Sequence, residues 1–377
     1  MGPLCWCGPP VTGPGARQGV ALLCECRDND GKTAEQAKHR KCSSLHGIAD
    51  YIATCGLNAI AIADLSAVNA EKTRLQYNEH MTELPKKVRI VEVGPRDGLQ
   101  NEQKTVPTEK KAEFIKLLAA AGLKDIEVAS FVHPKWVPQL ADAEELIKQL
   151  EFTSKVRYSA LVPNMKGMER AIASGIRRIA VFTAASETFN RKNINMGVQE
   201  SIDVFKPVVA RAVEDGMSVR GYVSTCFVCP YEGPVAKEKV ADVTRSLFDL
   251  GVDEVSIGDT IGAATPKDVE MTVGYLLQLF PTEKLAMHFH DTYGMAVANV
   301  YQSLQMGITV FDSSAGGLGG CPYAPGASGN VATEDLVYLF DKLGIETGVS
   351  LKLLRRASHL IAQELARDLP SRVLKVS

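Results

Sequence analysis

Long apolar runs are missing from this 377-residue sequence. Its apolar runs are short stretches such as Val20–Leu23, far below the roughly 18 residues that cross a bilayer, which excludes a membrane-spanning helix. An excess of one charge is missing too: 42 Lys+Arg oppose 44 Asp+Glu, for a net charge of -2. No general field therefore draws the chain to nucleic acid or to an anionic membrane. No stretch has the basic start, apolar core and cleavage site of a secretory signal, so the nine cysteines are read as reduced thiols and the expected compartment is the cytoplasm. What is present is an ordinary globular composition, 45% hydrophobic. The length fits two domains, or one α/β barrel of about 250 residues with additions.

The cysteines are unevenly spread. Cys5, Cys7, Cys24, Cys26, Cys42 and Cys55 fall in the first 60 residues, and only Cys226, Cys229 and Cys321 remain. The two Cys-x-Cys pairs match no zinc finger or ribbon, whose paired ligands are separated by about two to four residues. Residues 1–20 hold five Gly and four Pro, a composition that builds no packed element. Across residues 1–80, eight acids balance eight Lys+Arg, unlike an Arg-rich, acid-poor transit peptide. The expectation is a poorly structured extension over 1–80 and a core over 81–377, with Met81 just ahead of the first strong strand pattern.

From Val88 onward, short β-branched runs alternate with helical stretches, the pattern of a parallel sheet with crossover helices. Eight strands are predicted: Val88–Val93, Asp125–Ala129, Val156–Val162, Arg178–Phe182, Ser218–Ser224, Glu254–Ile257, Leu285–His290 and Thr309–Ser313. Between them, Phe114, Ile115, Leu117, Leu118 and Ala121 recur at helical spacing, as do Val240, Val243, Leu247 and Leu250. Gly122, Gly175, Gly216, Gly251 and Gly307 sit where a left-handed cap ends a helix. Eight such units suit a closed (β/α)8 barrel, an α/β fold, with a further helical segment at about Leu351–Leu365. The competing open sheet would need a nucleotide-binding glycine loop after strand one; Gly94-Pro95-Arg96-Asp97-Gly98 has neither phosphate-loop nor dinucleotide spacing.

Barrel chemistry sits at the carboxyl ends of the strands, and the unusual polar residues cluster there. Arg96 and Asp97 follow strand one, Glu127 lies in strand two, Asp259 follows strand six, His288 and His290 end strand seven, and Asn330 closes the loop after strand eight. Strand residues i and i+2 face the same way, so His288-Phe289-His290 aims two imidazoles at one point. With the Asp97 carboxylate and the Asn330 amide oxygen they make a nitrogen–oxygen set for a divalent cation, Mg2+ or Mn2+ first, with zinc still open. The plainer reading is two core imidazoles bonded to backbone; the coincidence with the strand end favours the ligand reading. Arg96 keeps its charge at any working pH and can steady an oxyanion. Glu127, costly on an inward face unless paired, has Arg96 or the metal's surroundings as natural partner. Gly316–Asn330 holds six glycines in fifteen residues. There Cys321 is a candidate exposed thiol on a segment able to close over substrate or to let its backbone approach phosphate, the alternative being a plain flexible connection. Cys226 and Cys229 are expected to be ordinary barrel residues.

Several stretches together carry a resemblance: Val91-Glu-Val-Gly-Pro-Arg-Asp-Gly-Leu-Gln-Asn101, Lys135-Trp-Val-Pro-Gln139, Gly258-Asp-Thr-Ile-Gly, His288-Phe-His-Asp-Thr-Tyr-Gly, Gly317-Leu-Gly-Gly-Cys-Pro-Tyr-Ala and Gly326-Ala-Ser-Gly-Asn-Val-Ala-Thr-Glu-Asp. From about Leu84 to its end the chain resembles the 3-hydroxy-3-methylglutaryl-CoA lyase family. The resemblance implies a divalent cation held by Asp97, His288, His290 and Asn330. It implies Arg96 steadying an enolate, Glu127 and Asp259 supporting the site, and Cys321 as the reactive thiol. The implied reaction splits 3-hydroxy-3-methylglutaryl-CoA into acetyl-CoA and acetoacetate, in leucine breakdown and ketone-body formation, with His288 the candidate for moving protons. A homodimer is implied, and the mitochondrial matrix is the alternative compartment for a eukaryotic source. Two departures stand out: Ser314-Ala315-Gly316 ahead of the glycine stretch, and the Cys226–Cys229 region. A lyase for a bulkier 3-alkyl homologue and a Claisen-type synthase of the same superfamily remain alternatives.

Overall fold

The predicted strands pair in sequence order into a closed parallel barrel: β1 (Arg89–Glu92), β2 (Asp125–Ser130), β3 (Arg157–Leu161), β4 (Arg178–Ala184), β5 (Ser218–Ser224), β6 (Glu254–Asp259), β7 (Leu285–Phe289) and β8 (Val310–Ser313). β8 closes on β1 in the register Arg89 with Val310 and Glu92 with Ser313. The computed structural model describes residues 83–320 and 329–376; the extension expected over 1–80 and Cys321 lie outside the described residues.

Helices ring the barrel: α1 (Thr108–Ala120), α2 (Ala143–Lys148), α3 (Met165–Ala173), α4 (Glu187–Ile194), α5 (Val198–Glu214), α6 (Lys237–Leu250), α7 (Pro266–Leu276), α8 (Ala296–Gln305), α9 (Thr333–Lys342) and α10 (Leu351–Leu365). Local chemistry sets their ends. α7 starts with Pro266 after Thr265, whose hydroxyl accepts from the Asp268 N–H while the Asp268 carboxylate accepts from the Thr265 N–H, a reciprocal cap. α6 stops at Gly251, at φ 101°, where a side chain would be strained. α1 buries Phe114, Ile115 and Leu118, whereas Leu117 is only partly covered, so the buried stripe is narrower than its apolar spacing suggested. α10 spans the expected residues and packs on α1 and on the turn Ala315–Gly317.

The main apolar core lies between strands and helices, where Ile126, Ile257 and Phe311 meet Ile115, Leu247 and Phe340. Inside the barrel, Val91, Val93, Ala286 and Val310 form only a small apolar cluster. Ion pairs cluster at the amino ends of the strands, in place of the bulky branched residues usual in a barrel. Asp125 takes Arg157 at 2.5 Å and Arg178 at 2.6 Å, and Glu254 takes Arg220 at 2.8 Å and also Arg89.

Two features depart from the expectation. Strand seven ends at Phe289, and His290 instead forms an isolated antiparallel bridge with Asn330. An unforeseen hairpin, Val228–Cys229 against Gly233–Pro234, follows β5. Cys226 and Cys229 are buried free thiols, donating to the Val223 carbonyl and touching Ser186 Oγ, each at 3.0 Å. Among the described residues, no helix is long and apolar enough to cross a membrane.

Candidate metal centre and active site

After β1 the chain winds into a wide turn, Gly94–Gly98, closed by the Gly98 N–H on the Val93 carbonyl at 3.1 Å. A strand would send neighbours to opposite faces; this turn brings Arg96 and Asp97 together, Arg96 Nη1 donating to Asp97 Oδ1 at 2.7 Å. Glu127, one position from a register shift in β2, receives Arg96 Nε and, at 2.5 Å, the Tyr222 hydroxyl. Two guanidiniums lie near the Tyr222 ring, Arg96 at 5.5 Å and Arg220 at 5.1 Å from its centroid, a favourable contact for buried cations.

Across the barrel mouth, the Nε2 atoms of His288 and His290 face each other at 3.2 Å, and His290 Nε2 is 3.9 Å from Asp97 Oδ2. One ligand atom from each of Asp97, His288 and His290 falls within 4.8 Å of the others, a possible metal site. His288 Nδ1 meets Asp312 Oδ2 at 3.1 Å, an oxygen that also accepts from Ser256 Oγ at 2.7 Å. That contact commits the Nδ1 proton and turns the Nε2 lone pair toward His290. Two imidazole nitrogens and a carboxylate oxygen this close suit a shared cation, and the residues present fit one.

Burial alone would raise the Asp97 carboxyl, but Arg96 and the two imidazoles hold it well below its ordinary value. Burial disfavours the His288 cation, yet Asp312 outweighs it and the imidazole rises. Asp312 itself, pushed up by burial and pulled down by Arg220 and His288, lies at about 2. For Arg96 the desolvation is likewise outweighed by Glu127 and Asp97, so it stays charged.

The sequence-derived residues other than Cys321, which lies outside the described residues, thus come together at one end of the barrel, with differences in detail. Asn330 reaches Asp97 through its amide nitrogen, at 2.9 Å, and donates the other amide hydrogen to the Leu318 carbonyl at 3.1 Å. As placed, it holds Asp97 rather than offering the expected oxygen. Its proximity follows from the backbone: the Val331 N–H bonds the Phe289 carbonyl and the Asp291 N–H bonds the Gly329 carbonyl, each at 3.0 Å. Asp259 accepts the N–H groups of Ala263 and Ala264 at 3.1 Å, with burial pushing it up to about 7 in spite of these bonds and of His288. The sequence reading missed Asp312, Tyr222 and Arg220. Their one signal was the occurrence of charged and polar residues at alternate positions in otherwise buried strands.

A parallel barrel whose strand ends gather a carboxylate and two imidazoles beside a buried arginine defines a barrel enzyme with a possible metal site. The chain belongs to the HMGL-like family, whose model matches residues 87–361. It is similar to hydroxymethylglutaryl-CoA lyase YngG of Bacillus subtilis, 52% identical over 292 residues, 78% of this chain and 98% of that protein. It is also similar to the mitochondrial hydroxymethylglutaryl-CoA lyase of Pongo abelii, 48% identical over 318 residues, 84% and 95% of the two chains. The solved HMG-CoA lyase of Acinetobacter baumannii, in complex with coenzyme A and 3-methylmalate, matches with a TM-score of 0.75 at 37% identity, covering 79% of this chain and 97% of its own.

Proposed function

We propose that this chain is a metal-dependent carbon–carbon lyase that cleaves 3-hydroxy-3-methylglutaryl-CoA to acetyl-CoA and acetoacetate, a step of leucine breakdown and ketone-body formation. The observation that carries the reading is the convergence of Asp97, His288 and His290 beside the charge-locked Arg96. The relatives named for this activity and the coenzyme A complex of one of them support a CoA-ester substrate.

Asp97, His288 and His290 would hold the ion, with Asn330 the fourth candidate; Mg2+ or Mn2+ suits this nitrogen–oxygen set. Bound there, the ion supplies Lewis-acid polarisation of the tertiary alcohol. Cleavage removes the hydroxyl proton, breaks the adjacent carbon–carbon bond and leaves the enolate of acetyl-CoA. His288 Nε2 is the nitrogen turned to the cradle, since Nδ1 is committed to Asp312. Its proposed roles as ligand and proton acceptor therefore draw on one atom and exclude each other at any instant. Arg96, fixed by Glu127 and Asp97, steadies the enolate oxygen. Asp259 braces the loop after β6, and the Cys321 thiol is assigned the return of a proton to the enolate carbon.

The catalytic unit is assigned to residues 81–377, with 1–80 an extension, a homodimer as the assembly and the cytoplasm as the compartment. The family match over 87–361 supports the first. The resemblance supports the dimer; sedimentation tests the assembly and cell fractionation the compartment. The activity is tested by a coupled assay for acetoacetate with Mg2+, with Mn2+ and after chelation. Release that depends on metal is expected. No release from folded, metal-loaded protein overturns the assignment, and acetyl-CoA with 2-oxo acids then tests the synthase alternative. Comparing kcat/KM for the bulkier homologue tests the pocket, since one methylene is worth only about 1–3 kcal/mol of discrimination.

A further inference from the structure

Glu92 has no part in the chemistry above, yet its buried carboxylate joins three segments that frame the cradle. Oε1 accepts from the backbone N–H of Gly94 at 2.8 Å and of Ala315 at 2.9 Å, and Oε2 accepts from Thr333 Oγ1 at 2.7 Å. Gly94 opens the turn that carries Arg96 and Asp97. Ala315 opens the turn after β8, which leads to the Leu318 carbonyl that receives the Asn330 amide. Thr333 begins α9, three residues beyond Asn330.

The glycines give a second, independent sign of the same contact. A Cβ on Gly94 would lie 2.5 Å from Glu92 Oε1, and one on Gly98 would lie 2.7 Å from Ser314 Oγ and 2.8 Å from Leu318 Cβ. The two turns are pressed together with no room for a side chain between them. Asn101 adds a bond across the same seam, donating Nδ2 to the Gly320 carbonyl at 2.8 Å.

We propose that Glu92 is a positioning residue: by holding the Gly94 and Ala315 N–H groups on one carboxylate oxygen, it fixes the turn that carries Asp97 against the segment that carries Asn330, and so sets where Asp97 stands in the cradle that would hold a divalent ion. Glu92 touches no reacting atom and acts through two backbone turns. The proposal rests on the metal-dependent reading of the site. A purely structural Glu92 would change stability and leave metal affinity and turnover alone.

The test compares the wild type with Glu92→Leu and Glu92→Gln in the full chain. Mn2+ affinity is read from the EPR signal of free ion, alongside kcat and KM. Glutamine keeps a carbonyl oxygen for the two N–H donors and can turn its amide nitrogen to the Thr333 hydroxyl. Glu92→Leu is expected to weaken Mn2+ binding by about 10–100-fold and to lower kcat more than it alters KM, whereas Glu92→Gln stays within about threefold of wild type. A folded Glu92→Leu protein with wild-type Mn2+ affinity and kcat overturns the proposal, as does a glutamine variant no better than leucine. If Glu92→Leu does not fold, Glu92→Asp, one methylene too short to serve both donors, is expected to show the same weakening; wild-type behaviour there is equally contrary. A wild type that binds Mn2+ but releases no acetoacetate sinks the lyase reading alone, because the affinity comparison needs no turnover.

Discussion

At Arg96 the shape of the cation matters beside its charge. Nε is taken by Glu127 and Nη1 by Asp97, contacts that a planar fork makes from two separate, fixed nitrogens and an ammonium would have to make from one. Arg96→Lys is expected to lower kcat by about 10²–10³-fold, the loss typical of one preorganised oxyanion donor. Steady-state kinetics with the thioester check this, and near-wild-type kcat would show that charge alone suffices. Arg96, Asp97, His288 and His290 are legible in the sequence because each combines a chemically distinctive side chain with a strand end. Asp312 and Tyr222 are not, because an acid or a phenol in a strand is identified as an orienting group only by its partner across the barrel. The orientation of the Asn330 amide is equally hidden, being set by the Leu318 carbonyl and the Asp97 carboxylate.

Among the elements, α9 and α10 are tied to the turn after β8 by one acid. Glu334, second in α9, accepts the Gly316 N–H at 2.7 Å and the Ser358 hydroxyl of α10. Burial pushes its carboxyl from 4.5 up to about 7 in spite of these bonds. The folded chain therefore keeps a proton that the unfolded chain releases. The stability this contributes is fully present below 4.5 and is lost as pH rises through 7. Glu334→Gln, which does not titrate, should gain thermal midpoint relative to wild type across that window and then run parallel to it. Midpoints measured against pH check this, and parallel curves throughout would contradict it. The strands and α10 are legible because alternation, β-branching and capping glycines are local signals. The His290–Asn330 bridge is not, since it depends on where the chain returns after β8 and α9 begins, and no local pattern encodes that return.

Over the whole barrel, the two ends divide labour. The amino ends of the strands hold Asp125 among Arg157 and Arg178, and Glu254 beside Arg89 and Arg220, while the carboxyl ends hold the cradle. Asp125→Asn leaves its arginines short of a counter-charge. With those guanidiniums partly in solvent, the cost is expected to be about 1–3 kcal/mol, below that of a fully buried pair. Urea unfolding checks the loss, and kcat of the folded variant should stay unchanged; a fall in kcat with stability intact would show that the two ends are coupled. The charged filling itself was not legible, since inward and outward strand faces are distinguished only once the register is known. The proposed chemistry turns on the cradle at the barrel mouth. Its most direct test is acetoacetate release from 3-hydroxy-3-methylglutaryl-CoA as Mn2+ is titrated into chelated wild type and into His288→Ala. Saturable recovery in the wild type and none in the variant is the expected result; equal release from both, or release indifferent to the ion, would contradict the account.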